Sequence, residues 1–102
     1  MPVWTAVAQV APLIPDALGG SAGAFVFTVG PGLNRDEFQR SVSEALGQSQ
    51  LLLVELDEVA TISAHVNGMD EEIASLWLEV AGDVERSQEP YFDEFHAFDQ
   101  PN

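Results

Sequence analysis

Six consecutive residues at the middle of the chain, Leu51-Leu52-Leu53-Val54-Glu55-Leu56, form its most apolar run. A run that does not alternate needs cover on both faces. Leu52, Val54 and Leu56 would make one wholly apolar face, and Leu51, Leu53 and Glu55 a second face that ends at a carboxylate. Gly47 and Gln48-Ser49-Gln50 before the run, and Asp57-Glu58 after it, favour a strand over a helical segment.

Around this run the hydrophobic pattern changes period several times. Residues 3–10 alternate, with Trp4, Ala6, Ala8 and Val10 on one side, and read as a half-buried strand. Residues 11–23 are rich in Ala, Gly and Pro and read as a flexible connecting loop. Ala24-Phe25-Val26-Phe27-Thr28-Val29 is a second strand, dense in aromatic and β-branched residues and closed by Gly30-Pro31-Gly32. Asn34 with Glu37 three residues later is a helix start. Phe38, Val42, Ala45 and Leu46 then keep one helical face until Gly47 ends it.

Beyond the central run, residues 59–66 alternate again, and the short Asp57-Glu58 link predicts a hairpin back along 51–56. Asn67-Gly68 breaks that strand. Asp70-Glu71-Glu72 starts a second helix with inner stripe Ile73, Leu76, Trp77, Val80 and Ala81, ending near Gly82 or, if Asp83–Arg86 extend it, one turn later. Residues 90–98 fit a strand by aromatic density, although Tyr91, Phe95 and Phe98 also keep a helical spacing.

From residue 24 the order is strand, helix, strand, strand, helix, strand. This predicts an α+β fold, a ferredoxin-like βαββαβ sandwich with two helices on a mainly antiparallel sheet and residues 3–10 as an extra N-terminal strand. The 102 residues suit one domain, 1–102, with a frayed terminus at 99–102. Such a fold hosts many functions and selects none.

Charge changes the picture most. The chain carries 17 acidic against 3 basic residues, net −14. Residues 1–50 hold four acids and two arginines, net −2, whereas residues 51–102 hold 13 acids and only Arg86, net −12. Nucleic acid and anionic membrane are poor direct partners for such a surface, because binding them depends on Lys and Arg. A basic protein partner, or a cation, suits the acidic half better. With no cysteine there are no disulfides, and Met1-Pro2-Val3-Trp4 has no basic leader, so a cytoplasmic location without a targeting segment is expected.

Candidate chemistry is sparse. Gly30-Pro31-Gly32-Leu33-Asn34 matches neither phosphate-binding glycine pattern, and Asp36 and Glu37 would repel a phosphate, so it reads as a turn. His65 and His96, with Glu94, are the available metal-ligand set, and no metal or other cofactor is expected because isolated histidines are ordinarily structural. Tyr91, Asp93 and His96, with His65, are the candidates for a cofactor-free proton-transfer site. The acidic pairs lack the alternating ligands of a calcium loop.

Glu79 and Asp83 are placed where they do not help a helix ending near Gly82, being i, i+4 like charges near its C-terminus. With Glu72, Leu78, Asp93 and Glu94 they are the expected partner-binding set; an acidic surface kept for solubility or for a high-salt cytoplasm accounts for the same charges equally well.

The function expected from these features is a small non-enzymatic module, of the inhibitor or immunity type, that engages a basic partner. The alternative is a small cofactor-free enzyme or ligand-binding protein, acting as a homodimer, with an apolar pocket lined by Trp4, Phe25, Phe27, His65 and His96. A third reading is a self-assembling subunit joined through the aromatic C-terminal segment.

Overall fold

A computed structural model describes residues 2–98; the fraying expected at 99–102 lies outside the described residues. Four strands and three helices follow one another as β1 (Val3–Pro12), β2 (Gly23–Pro31), α1 (Arg35–Gln48), β3 (Leu51–Thr61), α2 (Ile62–Val66), α3 (Glu71–Ser87) and β4 (Tyr91–Phe98). The fold is α+β. Its sheet is antiparallel throughout, with strand order β3-β1-β2-β4.

The ferredoxin-like arrangement is not reproduced, in element order or in strand order. Residues 59–66 do not turn back as a strand: β3 runs on to Thr61, and Ile62–Val66 then coil into α2. The Thr61 side chain accepts a hydrogen bond from the Ala64 amide, a helix cap that competes with strand continuation. The N-terminal strand, expected as an addition, is central instead. β1 lies between β2 and β3, where the hairpin partner of 51–56 was expected, and pairs along its length with both.

The two sheet faces carry different helices. Ala6, Ala8, Val10, Ala24 and Val26 meet Phe38, Val42 and Leu46 of α1 on one face. Val3 and Val29 meet Ala81 and Val84 of α3 on the other, with Phe27, Ile62 and Trp77 around them. Successive strand residues point to opposite faces, so neighbours such as Val3 and Trp4 separate into these two cores. At about 1.5–3 kcal/mol for each large side chain buried, Phe38, Val42 and Leu46 make α1 the main support of the first core.

The central run is buried on one face only. Val10 stands opposite Leu53 while Gln9 stands opposite Glu55, so Val54 is an extra residue in β3. The bulge shifts the alternation, and Leu51, Leu53 and Leu56 all face α1, whereas Leu52 and Glu55 share the other face. The apolar face expected from Leu52, Val54 and Leu56 is therefore broken: Leu52 and Val54 are each 51% exposed and Leu56 is 8% exposed.

Helix ends follow cap geometry more than glycine. Asn34 caps α1 as predicted, its side chain accepting from the Glu37 amide at 3.0 Å. α1 passes Gly47 by one residue, and α3 passes Gly82 by five before Gln88 ends it with φ of 59°. Gly32 is needed for close approach. A Cβ there would lie 2.5 Å from the Phe38 amide nitrogen, and its carbonyl accepts from Trp4 Nε1 at 2.9 Å.

The β1–β2 connection is built of successive turns, closed by amide hydrogen bonds from Ala17 to Ile14, Gly19 to Asp16 and Ser21 to Leu18. Ala17 and Leu18 pack against the α1-side core. Among the described residues no helix is long and apolar enough to cross a membrane.

Candidate functional site

α3 turns inward only part of the stripe its period suggested, Trp77, Val80 and Ala81, and adds Val84. Ala81 and Val84 are buried and Trp77 and Val80 half-buried, while Ile73 and Leu76 are 47% and 63% exposed. The small Ala81 lets the helix approach Val3 and Val29 closely, and the packing follows that contact. The consequence is an apolar flank left uncovered beside β4.

That flank forms one wall of an open cavity of about 430 Å³ between α3 and β4. Leu76, Trp77 and Val80 line it from the helix and Tyr91 from the strand, with Glu79, Asp83 and Asp93 at its margins. Three of the expected partner-binding residues and two of the expected proton-transfer residues thus meet at one place. Sequence reasoning assigned Leu76, Trp77 and Val80 to the core; Trp77 and Val80 do pack against it, and what it missed is their share in this cavity and the exposure of Leu76. The available signal was the alternative stripe Ala74, Trp77, Ala81, Val84, whose alanines permit close packing.

Tyr91 and Asp93 are joined directly. The Tyr91 hydroxyl donates to Asp93 Oδ1 at 3.4 Å, and partial desolvation, the Asp93 charge and this hydrogen bond together raise the phenol above its usual value near 10. The hydroxyl is therefore a donor at neutral pH.

Among the described residues, Arg86 pairs with Asp83 one helical turn away, and both side chains are exposed. Because α3 continues to Ser87, Glu79 lies at mid-helix and Arg86 occupies the last turn. The expectation that Glu79 and Asp83 sit against the C-terminal dipole is corrected accordingly. No cation is paired with Glu79 or Asp93 among the described residues.

The remaining candidates lie elsewhere. Glu72 is exposed on the first turn of α3, and Glu94 is exposed where β4 places two residues, Asp93 and Glu94, against Phe27. Leu78, 50% exposed, lines a separate cavity with Pro2, Ile62 and Glu85 on the other flank of the helix. His65, in α2, stacks on Phe27 and meets Trp77 edge-on.

His96 is exposed on β4 opposite Phe25, and Phe98 shares its face, whereas the bulge at Asp93-Glu94 sends Phe92 to the α1 side. Among the described residues no three His, Asp or Glu side chains are grouped so as to hold a metal ion.

Within one chain, Trp4, Phe25, Phe27, His65 and His96, expected to line a pocket in a homodimer, do not share one face of the sheet. Trp4 stacks on Phe38 on the α1 side, while Phe27 and His65 lie on the α3 side. A second apolar cavity, about 450 Å³, opens instead on the α1 side beside β4, lined by Leu18, Ala45, Leu46, Leu51, Phe92 and Phe95 among others, with no ionisable side chain. Comparisons with protein-family models, curated proteins and solved structures find no match for this chain.

Proposed function

We propose that this chain is a small acidic binding protein whose α3–β4 groove engages a basic partner protein. The observation that carries the reading is the gathering of Glu79, Asp83 and Asp93 around an apolar wall made of exposed Leu76 and Tyr91 and half-buried Trp77 and Val80. Such a groove suits lysine or arginine. The aliphatic stem lies on Leu76 and Trp77, the cationic head meets a carboxylate, and the aromatic rings add cation–π attraction.

The net charge of −14 would speed encounter with a cationic surface, as an inhibitor covering the cleft of a nucleic-acid-binding protein requires. Desolvated Trp77 and Tyr91 would supply the anchors.

The test compares the native chain with a Glu79→Gln, Asp93→Asn double variant in capture from the lysate of the producing cell at low salt. Basic proteins that elute with salt from the native chain, and are depleted at least several-fold on the variant, are the expected result. Equal recovery on both chains would remove the groove from the argument.

A further inference from the structure

We propose that the partner binds by adding an extended strand to the free edge of β4, with basic residues on the α3 side alternating with apolar residues on the α1 side. The inference rests on the basic-partner reading above and specifies how that partner docks.

β4 is the outermost strand next to β2, and its other edge carries no pairing among the described residues. An unpaired edge is a template for another strand unless the protein blunts it. The opposite edge, β3, is blunted twice: at the Val54 bulge, which Glu55 follows, and again where Glu58, next to Asp57, takes a left-handed φ of 54°.

β4 has a single irregularity, at Asp93-Glu94, beyond which Phe95, His96, Ala97 and Phe98 stand one-to-one against Val26, Phe25, Ala24 and Gly23. Tyr91 and Phe95 are each 39% exposed, on opposite faces of the strand, at positions a neighbouring strand would cover.

The two faces beside this edge differ in chemistry. On the α3 side lies the groove with Glu79, Asp83 and Asp93; on the α1 side lies the uncharged cavity of Leu46, Leu51, Phe92 and Phe95. Because side chains of an added strand alternate between faces, one strand can serve both, cationic residues on one side and apolar residues on the other.

Charge selects a basic occupant over a second copy. A copy would bring its own Asp93-Glu94 and its own −14 against the same features.

The experiment uses the purified chain and three synthetic peptides as long as β4. The first alternates lysine and valine. The second has the same composition in a lysine block and a valine block, and the third is the alternating sequence with its amides N-methylated. Affinities are measured at low and moderate salt, with hydrogen exchange read along β4.

The expected result is that the alternating peptide binds about tenfold or more tighter than the other two, as loss of a ladder of hydrogen bonds implies. It should also slow exchange between Phe95 and Phe98. Equal, salt-sensitive binding of all three would overturn strand addition and leave the basic-partner reading standing. Binding by none would overturn both. A homodimer already protecting β4 without peptide would assign the edge to a second copy and overturn the proposal.

Discussion

The imidazole of His65 stacks on Phe27 with ring centroids 4.8 Å apart, and that contact leaves its Nε2 buried without a hydrogen-bond partner among the described residues. Trp77 closes the cluster edge-on, 5.7 Å from His65 and 4.9 Å from Phe27. These separations are those of favourable aromatic pairs, so the ring is held by packing at the expense of its nitrogen. His65→Phe keeps the stack and removes the orphan atom. It should raise stability by about 1 kcal/mol, read as a higher urea midpoint at unchanged slope. A lower midpoint would mean that the nitrogen is bonded.

The Val54 bulge makes a prediction that simple alternation reverses. Leu52 and Leu56 would share a face in a regular strand, yet only Leu56 is in the core. Leu52→Glu should therefore change stability by no more than about 0.5 kcal/mol, as surface substitutions do. Leu56→Glu should cost about 3 kcal/mol or more through an unpaired buried carboxylate. Similar denaturation midpoints for the two variants would refute the shifted register.

These residues also mark where the sequence was legible. The strands at residues 3–10 and 24–29, and the α1 start at Asn34, follow from local alternation and a local cap, and the structure forms them there. The aromatic segment 90–98, for which a helical spacing was also open, is a strand.

A second local cap and tertiary packing decided the rest. The alternation of 59–66 yielded to the Thr61 cap, and Leu76 was displaced from the α3 stripe by the closer fit of Ala81 and Val84. For the candidate site, Glu79, Asp83, Tyr91 and Asp93 were identifiable from charge and aromatic density. Their meeting was not, because it depends on α3 packing across the sheet face opposite α1.

Tyr91 reports on its own site, being the chain's only tyrosine. Burial, the charge of Asp93 and their hydrogen bond disfavour the tyrosinate and raise the folded-state pKa. The stability this contributes is fully present below the unfolded value near 10 and is lost as pH rises through the higher folded value. Asp93→Asn removes the charge and leaves the desolvation. The tyrosinate absorbance should then appear at lower pH in the folded variant than in the native chain. Superimposable titration curves would show that Asp93 does not act on the phenol.

Self-repulsion should make the isolated protein salt-stabilised. Its 17 acids are answered by three arginines, and the longest extent of the described chain is 39 Å. At about 0.01 M salt the screening length is about 30 Å, so carboxylates repel across most of the molecule. At about 0.15 M it falls to about 8 Å, and only near neighbours such as Glu79 and Asp83 remain in contact. The unfolded chain spreads the same charges farther apart and gains less from screening. Raising salt between these limits should therefore raise Tm, by about 4–8 °C for each 1 kcal/mol recovered in a domain of this size. Glu79→Gln, which removes one charge and its repulsion with Asp83, should raise Tm at low salt and lose most of that advantage at moderate salt. A Tm that is flat with ionic strength in both chains would mean that the acidic half carries no net strain, and would reduce its charge to a matter of solubility.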